Sequence, residues 1–519
     1  MLHLTLQAKL HAAVRAALPD ADTTAVLVRP CLDPRHGDYQ SNALIGLAKQ
    51  RKLNPRALAE QVKAALDVAE LCDALDIAGP GFLNFRVRPA ALAAVLQAEA
   101  AKEQPFVAKA AQPRTVVIDF SSPNVAKPMH VGHIRSTGIG DALQRVFRLL
   151  GHRVISDNHL GDWGTQFGKL LLGWKQILDR DALAREPIAE LERLYKVINA
   201  ECDANPARLE EAKQELVKLQ AGDAENTAVW QEMIRVSQRQ FDAVYGRLGV
   251  KFDHTLGESF YNPQLSAVVT DLLARGIARE SEGAVGVFSD GSLPPKNDPF
   301  LVNRDGEWVA DPALVRKSDG GFNYMTTDLA TIDYRLKTWA PDEIIYVVDD
   351  RQAPHFRKLF LTFARWQADA AARVKLNHVG FGKILGEDGK PFKTRSGDTV
   401  KLEDLLNEAE ERALQVVTEK NPELPEAQRR EIARVVGLGA VKYADLLPNR
   451  QSDYQFSWDK MLALQGNTAP YLQYAFTRTS SIIRKSGEQR LADEIILSAP
   501  DELALAKHLL NFGLALEAV

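Results

Sequence analysis

The spacing of apolar residues predicts alternating strands and helices in the middle of the chain. Thr115–Phe120 is a β-branched run, and Arg153–Asn158 is a second apolar run that follows Gly151. Between the two runs, apolar residues recur as on one face of a helix, at Ile134, Ile139, Leu143, Val146 and Leu150. A strand, a helix and a strand in this order form a βαβ unit, which implies a parallel sheet.

Later segments extend this pattern. Residues 343–349 and 378–385 are two further predicted strands. The segment from 170 to 280 is charged and helical, with a break near residues 205–206, and we interpret it as an insertion of solvated helices. Residues 283–323 combine Gly, Pro and Asp with short apolar runs, which is typical of hairpins.

Both ends of the chain predict separate domains. The N-terminal part begins with an amphipathic helix, contains short strands such as residues 79–87, and ends in an Ala-rich linker, which indicates an α+β domain. From about residue 400 the apolar spacing is helical. The last helical pattern is uncapped at Val519, so we expect the C-terminal bundle to be truncated. The predicted domains are residues 1–112, 113–455 and 456–519.

Length and composition exclude several classes of protein. A chain of 519 residues is too long for one hydrophobic core and suggests about three domains. Apolar residues make up 45% and charged residues 25%, which excludes disordered and fibrous proteins. No window of about 18 uncharged apolar residues occurs, so no transmembrane helix is expected. The net charge of −4 argues against coating nucleic acid by bulk attraction but allows a local basic surface.

The cysteines indicate a cellular compartment. Cys31, Cys72 and Cys202 have no CxxC spacing, so we expect neither a disulfide framework nor a metal site built from cysteines. This use of cysteine favours the reducing cytoplasm. The sequence has no obvious apolar dimer patch, so we expect a monomer.

A short histidine motif, His130-Val131-Gly132-His133, lies between a predicted strand and a predicted helix, where parallel sheets bind nucleotides. Glycine lets a phosphate approach the backbone, a helix N-terminus supplies partial positive charge and free N–H groups, and histidines can donate to phosphoryl oxygens. Two surface histidines that cap a helix would give the same four letters. The position after TVVIDFSSPN and before a long amphipathic helix favours the nucleotide site.

The segment DFSSPNVAKPMHVGHIRST resembles the signature of bacterial-type arginyl-tRNA synthetases, a family of class I aminoacyl-tRNA synthetases. The resemblance implies an α/β chain with a Rossmann-type catalytic domain, an N-terminal D-loop-recognition domain and a C-terminal anticodon-binding bundle. It also implies L-arginine, ATP with Mg²⁺ and tRNA(Arg) as substrates, with no structural metal. Further matching segments, in family order, are HGDYQSN (36–42), GPGFLNF, GDWGTQFG (161–168), YMTTDLA (324–330), YVVDDRQ, GKPFKTRSG (389–397) and GNTAPYLQYA (466–475).

An enzyme that selects arginine needs a carboxylate for the guanidinium and neutral acceptors for its other donors. Tyr324 and Asp328 are four residues apart and share a helix face, and Gln352 follows a strand at a sheet edge. The resemblance implies that these three bind arginine, with Asp328 on the guanidinium, although Asp349 and Asp350 could compete for that role. The residues implied at the amino and carboxylate end are Ser122, Asn124 and His133.

The resemblance implies that the arginine carboxylate attacks the ATP α-phosphate, which requires positioning and charge neutralisation. Residues 393–397 depart from the KMSKS loop of most class I enzymes, and Lys127 precedes the histidine motif, so Lys127 and Lys393 are assigned jointly to the pyrophosphate. The catalytic residues are then Lys127, His130, His133 and Lys393. The implied ATP contacts are His130, Gly132, His133, Gly380, Gly382 and Lys383.

Residues 469–485 combine three basic and three aromatic side chains with no acid, a charge of +3. This mixture suits phosphate contact and base stacking, while a core-facing aromatic helix is the alternative, and we expect some of the aromatics to be buried. The resemblance implies anticodon contacts here and D-loop contacts in the N-terminal domain. The predicted tRNA contacts are Phe82, Asn84, Tyr471, Tyr474, Arg478 and Arg484.

The leading hypothesis is an arginine–tRNA ligase that forms arginyl-adenylate and transfers arginine to the 3′-terminal adenosine of tRNA, with tRNA required for the first step. A second hypothesis is a synthetase-like RNA-binding protein without catalysis, which the complete set of site residues argues against. A third is a nucleotidyltransferase with the same histidine motif, which would need neither terminal domain.

Overall fold

The computed structural model of the chain describes residues 2–386, 388–390, 400–487 and 494–519. The chain forms two compact units. The first contains Met1–Ala111, Leu149–Gly151 and Ser486–Val519, and the second contains Gln112–Arg148 and His152–Lys485. The division into three functional domains stays a prediction.

The first unit is built on an antiparallel sheet. Its elements up to residue 100 are α1 (Leu2–Ala17), β1 (Arg29–Pro30), β2 (Tyr39–Ser41), α2 (Ala43–Gln50), α3 (Pro55–Ala65), β3 (Cys72–Ala78), β4 (Phe82–Val87) and α4 (Pro89–Ala100). The strand order is β1-β2-β4-β3. The predicted N-terminal helix is confirmed as α1, which buries Leu6, Leu10 and Val14 because this spacing puts them on one face.

The second unit contains most of the chain. Its elements are β5 (Thr115–Phe120), α5 (His133–Leu149), β6 (Arg153–Asn158), α6 (Gln166–Ile177), α7 (Arg180–Arg185), α8 (Pro187–Ala204), α9 (Pro206–Gln220), α10 (Ala224–Leu248), β7 (His254–Thr255), α11 (Asn262–Ala274), β8 (Ala278–Ser281), β9 (Ala284–Val287), β10 (Leu301–Arg304), β11 (Glu307–Ala310), β12 (Ala313–Arg316), α12 (Tyr324–Trp339), β13 (Glu343–Val347), α13 (Ala353–Trp366), α14 (Ala368–Ala371), β14 (Lys375–His378), β15 (Ile384–Leu385), α15 (Leu402–Lys420), α16 (Glu426–Leu446), β16 (Tyr454–Gln455), α17 (Trp458–Met461) and α18 (Ala469–Ser486).

A five-stranded parallel sheet forms the centre of this unit, as the βαβ pattern predicted. Its order is β14-β13-β5-β6-β7. The central strands read as continuous apolar runs because both of their faces are buried. Helix α5 crosses β5 at Gly140, where a Cβ atom would lie 2.1 Å from Cγ of Phe120. Glycine therefore lets the helix that follows the histidine motif lie directly on the strand.

The predicted helical insertion is present as α6–α10. Its predicted break lies between α8 and α9, where Asn205 caps the second helix and Pro206 begins it. The insertion ends at Leu248, earlier than the predicted 280, because the chain returns to the sheet at β7 and pairs with β6.

The predicted hairpins are also present, since β8 pairs with β9 and β10 pairs with β11. The prediction of one strand over residues 378–385 is wrong. Strand β14 ends at His378, and β15 pairs with β16 instead. Between them, Gly380 lies too close to Asp350, and Gly382 too close to Ser452, to leave room for a side chain. This close packing takes the place of the backbone hydrogen bonds that would continue a strand.

The chain returns to the first unit at its C-terminal end, through α19 (Pro500–Leu510) and α20 (Phe512–Glu517). Tyr39 on β2 donates a hydrogen bond of 2.9 Å from its hydroxyl to Oδ1 of Asn511. Nζ of Lys507 lies 2.5 Å from Oδ1 of Asp38. Part of the segment that we predicted as a C-terminal bundle thus packs on the HGDYQSN segment, which contains β2.

Three further findings concern only the described part of the chain. None of its helices has the length and apolar character needed to cross a membrane. None of its His, Cys, Asp and Glu side chains form a group of three or more placed to hold a metal ion. Its cysteines Cys31, Cys72 and Cys202 are free thiols.

Candidate active site

Hydrogen bonds orient both imidazoles of the histidine motif and fix the proton of His130. The backbone N–H of His130 donates to Nδ1 of His133 over 3.0 Å, and the N–H of Gly132 donates to Nδ1 of His130 over 3.1 Å. A ring nitrogen that accepts a hydrogen bond carries no proton, so the neutral ring of His130 holds its proton on Nε2. Nδ1 of His133 also lies 3.2 Å from the carbonyl oxygen of His130, to which it donates in the other tautomer. The ring centroids lie 3.9 Å apart, so the motif presents two neighbouring imidazoles, with an Nε2–H donor on His130.

Both imidazoles are neutral at pH 7. Burial lowers the pKa of His133 to about 3, and the charge of His130 lowers it further. Burial, together with the charge of Arg351, also lowers the pKa of His130. The motif can therefore donate hydrogen bonds to phosphoryl oxygens, but cations elsewhere must offset the negative charge of a triphosphate.

The backbone of the motif differs from our expectation of free N–H groups. The N–H groups of residues 130–134 all have partners inside the protein. Val131 donates to the carbonyl of Val400 over 2.9 Å, because the motif pairs with the segment before α15. The imidazoles, and not free backbone donors, are thus the open hydrogen-bonding groups of this motif.

Gly132 is required where the ring of His130 lies over the start of α5. A Cβ atom at this position would lie 2.9 Å from Cε1 and 3.0 Å from Nδ1 of His130. Any side chain would therefore displace the ring and break the hydrogen bond that fixes its proton.

The loop after β5 holds Ser122 in an unusual conformation. The φ angles of Ser121 and Ser122 are 72° and 49°, in the left-handed region that few residues other than glycine adopt. The N–H of Ser122 donates to Oδ1 of Asn158 over 3.1 Å, and its hydroxyl donates to Oδ1 of Asp119 over 3.1 Å. Two neighbouring strands thus fix the first residue of the predicted amino-acid site.

Asn124, the fourth residue of this loop, is exposed and lies against Gly161. The N–H of Val125 donates to the carbonyl of Gly161 over 3.0 Å, and the N–H of Gly161 donates to the carbonyl of Pro123 over 3.1 Å. A Cβ atom at position 161 would lie 2.2 Å from Oδ1 of Asn124. The first glycine of GDWGTQFG is therefore needed to leave room for Asn124.

Tyr324 and Asp328 share one face of α12, as their spacing predicted, and both contact His355 on α13. Nε2 of His355 lies 2.6 Å from Oδ2 of Asp328, and its ring lies 4.7 Å from the ring of Tyr324, edge to face. The side chain of Asp328 keeps 24% of its surface exposed, so its carboxylate is accessible to a ligand. His355 was not predicted from the sequence, although it follows Gln352 by three residues and so lies one helical turn away.

The other predicted arginine contacts lie after β13. Gln352 is exposed at the N-terminus of α13. Asp349 forms an ion pair of 2.8 Å with Arg351. Burial alone would raise the pKa of Asp349, but the hydrogen bonds and charge of Arg351 outweigh burial and lower it. Since Asp349 already has a guanidinium partner, and Asp350 lies against Gly380, the geometry favours Asp328 for an arginine substrate.

A second carboxylate, Glu258, was not predicted from the sequence and is influenced by the charge of Asp328. Glu258 begins a single 3₁₀ turn after β7, and Ser259 fixes this turn by donating from its N–H and hydroxyl to Asp162 over 2.8 and 2.6 Å. Burial raises the pKa of Glu258 to about 7, His159 opposes this shift, and the charges of Asp328 and Asp162 add to it. The charge of Asp328 therefore acts on Glu258.

The two predicted phosphate lysines have different outcomes. Nζ of Lys127 lies 5.0 Å from the ring centroid of Tyr195 on α8. This cation–π contact connects the helical insertion to the loop before the histidine motif. Lys393 lies outside the described residues.

Several backbone groups of the predicted adenine contacts already have partners. The carbonyl of Gly380 accepts from Nη1 of Arg450 over 2.6 Å, and the N–H of Gly382 donates to the carbonyl of Arg450 over 2.8 Å. The N–H of Lys383 donates to Oδ1 of Asp453 over 2.6 Å. These hydrogen bonds hold the backbone of residues 380–383 against residues 450–453.

In the first unit, Phe82 and Asn84 project from one face of β4, opposite the buried Leu83 and Phe85. Phe82 is partly exposed, whereas Asn84 keeps only 5% of its surface exposed. Asn84 lies between the neighbouring strands β2 and β3 of the sheet. Phe82 is thus the more accessible of the two predicted D-loop contacts.

In the second unit, the prediction that some aromatic residues of α18 are buried is wrong. Tyr471, Tyr474 and Phe476 are 45%, 53% and 73% exposed. The helix buries only Ala469 and Pro470, so it is packed at its start and open along its length. The predicted RNA contacts Arg478 and Arg484 are exposed as well. The helix therefore presents both aromatic and basic side chains to solvent.

Known proteins resemble this chain over almost its whole length. Residues 94–458 match the family described as "tRNA synthetases class I (R), catalytic domain", and residues 4–87 match "Arginyl tRNA synthetase N terminal domain". The arginine–tRNA ligase of Chromobacterium violaceum is 45% identical over 100% of this chain and 88% of its own length.

Two solved structures are similar as well. The arginyl-tRNA synthetase of Plasmodium falciparum has a TM-score of 0.78 at 28% identity, over 99% of this chain and 86% of its own. The arginyl-tRNA synthetase of Thermus thermophilus has a TM-score of 0.81 at 25% identity, over 100% of this chain and 87% of its own. The chain therefore belongs to the arginyl-tRNA synthetase family of class I aminoacyl-tRNA synthetases.

Proposed function

We infer that the chain is an arginine–tRNA ligase, which activates L-arginine with ATP and Mg²⁺ and transfers it to tRNA(Arg) for protein synthesis. The observation that carries this conclusion is the accessible carboxylate of Asp328, which His355 orients. A guanidinium pairs strongly with carboxylates because its donors form a planar fork.

The arginine site that we propose has two ends. Asp328 and Glu258 accept from the guanidinium, and Tyr324 and Gln352 complete this end. At the other end, an amide such as Asn124 can accept from the ammonium group and donate to the carboxylate. The residues proposed at that end are Ser122, Asn124 and His133.

In the activation step, a carboxylate oxygen of arginine attacks the α-phosphorus of ATP. The bond from this phosphorus to the oxygen that bridges to the β-phosphate breaks, and pyrophosphate leaves with the electron pair, which gives arginyl-adenylate. The imidazoles of His130 and His133 donate to phosphoryl oxygens, and Lys127 and Lys393, with the Mg²⁺ that ATP would bring, would offset the growing charge. The residues proposed on ATP are Lys127, His130, Gly132, His133, Gly380, Gly382, Lys383 and Lys393.

In the transfer step, the terminal 2′-hydroxyl of tRNA attacks the arginyl carbonyl, and AMP leaves. The exposed aromatic and basic residues of α18 support RNA contact, because bases stack on aromatic rings and phosphates pair with arginine. The free thiols fit the cytoplasm as the location, and we expect a monomer. The residues proposed on tRNA are Phe82, Asn84, Tyr471, Tyr474, Arg478 and Arg484.

The test is aminoacylation of bulk tRNA with each of the twenty amino acids, together with ATP–pyrophosphate exchange with and without tRNA. We expect charging with arginine alone, and exchange that requires tRNA. RNA binding without exchange would identify a silent RNA-binding protein. Exchange without RNA binding would identify a nucleotidyltransferase of another kind.

A further inference from the structure

Three buried side chains form a row across the parallel sheet. Tyr346 on β13 lies directly opposite Asp119 on β5, and Asp119 lies directly opposite Asp157 on β6. All three are the last but one residue of their strands, at the edge of the sheet where ligands bind. Two like charges at opposite positions of neighbouring strands destabilise the pairing unless a cation joins them.

Arg335 on α12 is that cation. Its Nη2 lies 2.6 Å from Oδ2 of Asp119 and 2.8 Å from Oδ2 of Asp157. Its guanidinium carbon lies 5.5 Å from the ring centroid of Tyr346. The side chain has no exposed surface, and a buried charge is tolerated only when its partners are in place. One arginine thus contacts three strands of the sheet.

The same cluster connects to both ends of the proposed substrate site. Oδ1 of Asp119 accepts from the hydroxyl of Ser122, and Asn158, next to the row, accepts from the N–H of Ser122. On α12, Arg335 follows Asp328 by seven residues, which is about two turns on the same helix face. The contacts of Arg335 therefore fix the helix that carries one end of the site relative to the loop that carries the other.

We propose that Arg335 is a positioning residue for arginine binding. It orients the Asp119 carboxylate that holds Ser122, and it sets the separation between Ser122 and Asp328, which must match the length of the amino acid. This inference rests on the proposed function, because it takes both ends of the site as arginine contacts.

The test measures the dissociation constant of L-arginine calorimetrically on the full chain, together with Tm. Arg335→Lys keeps the charge, but its side chain is one bond shorter and ends before the position of the Nη2 atom that contacts both carboxylates. We expect it to weaken arginine binding about tenfold, the effect of losing one good hydrogen bond to a charged group.

Arg365→Met is the matched control. Arg365 lies at the far end of α13, is 15% exposed, pairs with Asp290 over 2.9 Å and lies 4.7 Å from the ring centroid of Phe300. Its loss should lower Tm but leave arginine binding unchanged. Unchanged binding in Arg335→Lys, with only Tm reduced as in this control, would overturn the proposal.

A double-mutant cycle separates positioning from general damage. If Arg335 acts through Ser122, Arg335→Lys should have a much smaller effect on arginine binding in a Ser122→Ala background, whereas additive effects would contradict the proposal. Should Arg335→Lys fail to fold, Asp119→Asn leaves the ion pair to Asp157 intact and should weaken arginine binding similarly, and unchanged binding would overturn the idea. A wild-type chain that does not bind arginine would instead refute the proposed function.

Discussion

The carboxylate of Asp328 is held by the imidazole of His355, whose Nε2 lies 2.6 Å from Oδ2. This contact uses one carboxylate oxygen and restricts rotation of the side chain, so the other oxygen has a defined direction. The edge of the same imidazole meets the ring of Tyr324. Two predicted arginine contacts are thus oriented by one residue that the sequence analysis did not single out.

Replacing His355 should weaken arginine use without affecting ATP. His355→Leu removes the donor to Asp328, and we expect the KM for arginine to rise about tenfold, as for loss of a hydrogen bond to a charged group. His355→Gln retains an N–H donor and should have a smaller effect. Steady-state aminoacylation provides both KM values, and a His355→Leu enzyme with the normal KM for arginine would contradict this role.

Arginine binding should depend on pH through Glu258. Its pKa is about 7 in the free chain, so the carboxylate becomes ionised, and attractive to a guanidinium, as the pH rises through neutrality. We expect arginine to bind more tightly at about pH 8 than at about pH 6. Calorimetry across this range should show the change in the wild type and a flat profile in Glu258→Gln. Equal pH dependence in both proteins would exclude Glu258 as its source.

Glu258 should also lower stability at alkaline pH. Because its folded pKa lies above the model value of 4.5, the folded chain holds this proton more tightly than the unfolded chain. The stability that comes from the bound proton is present at low pH and is lost as the pH rises through about 7. Glu258→Gln should therefore raise Tm at about pH 8 and change it little at about pH 5. If Glu258→Gln instead had a lower Tm than the wild type at alkaline pH, the ionised carboxylate would not be destabilising, and this prediction would be wrong.

Gly132→Ala should impair activation. The new Cβ atom would displace the ring of His130, whose Nε2–H donor is proposed to bind phosphate. Loss of one such donor typically reduces the rate by about 100-fold or more. ATP–pyrophosphate exchange measures this effect. Gly246→Ala on α10 is the control, because no atom lies within 4 Å of the Cβ it adds, and exchange that is equally reduced in both variants would speak against the specific role.

Tyr195 should support Lys127. Tyr195→Leu removes the ring from beneath the ammonium group, and we expect exchange to fall about two- to fivefold, the size of a partly exposed cation–π contact. Tyr195→Phe keeps the ring face and should behave as the wild type. Equal losses in the two variants would show that the hydroxyl, and not the ring, matters.

Features set by local spacing were predictable, and features set by distant contacts were not. The βαβ unit and the shared face of Tyr324 and Asp328 follow from periodicity within one or two elements. His355 meets Asp328 across 27 residues, and Arg335 meets Asp119 across 216. No pattern within one element reports such contacts.

Two of the wrong predictions have the same physical origin. The segment 378–385 has a strand-like composition, but the close approach of Gly380 and Gly382 to other loops prevents a continuous ladder. The aromatic residues of α18 have a spacing compatible with a core, but whether a face is covered depends on what packs against it. In both cases tertiary packing decided between alternatives that the local sequence allowed.

The orientation of the histidine motif depends on Gly140, although this glycine lies two helical turns away. With no side chain between them, α5 and β5 are in direct contact, and any substituent would act as a wedge against the ring of Phe120. Since the helix begins at His133, about two turns earlier, the wedge would tilt both histidines away from their alignment with the sheet. A methyl group added at position 140, which touches no substrate, could thus inactivate the catalytic site.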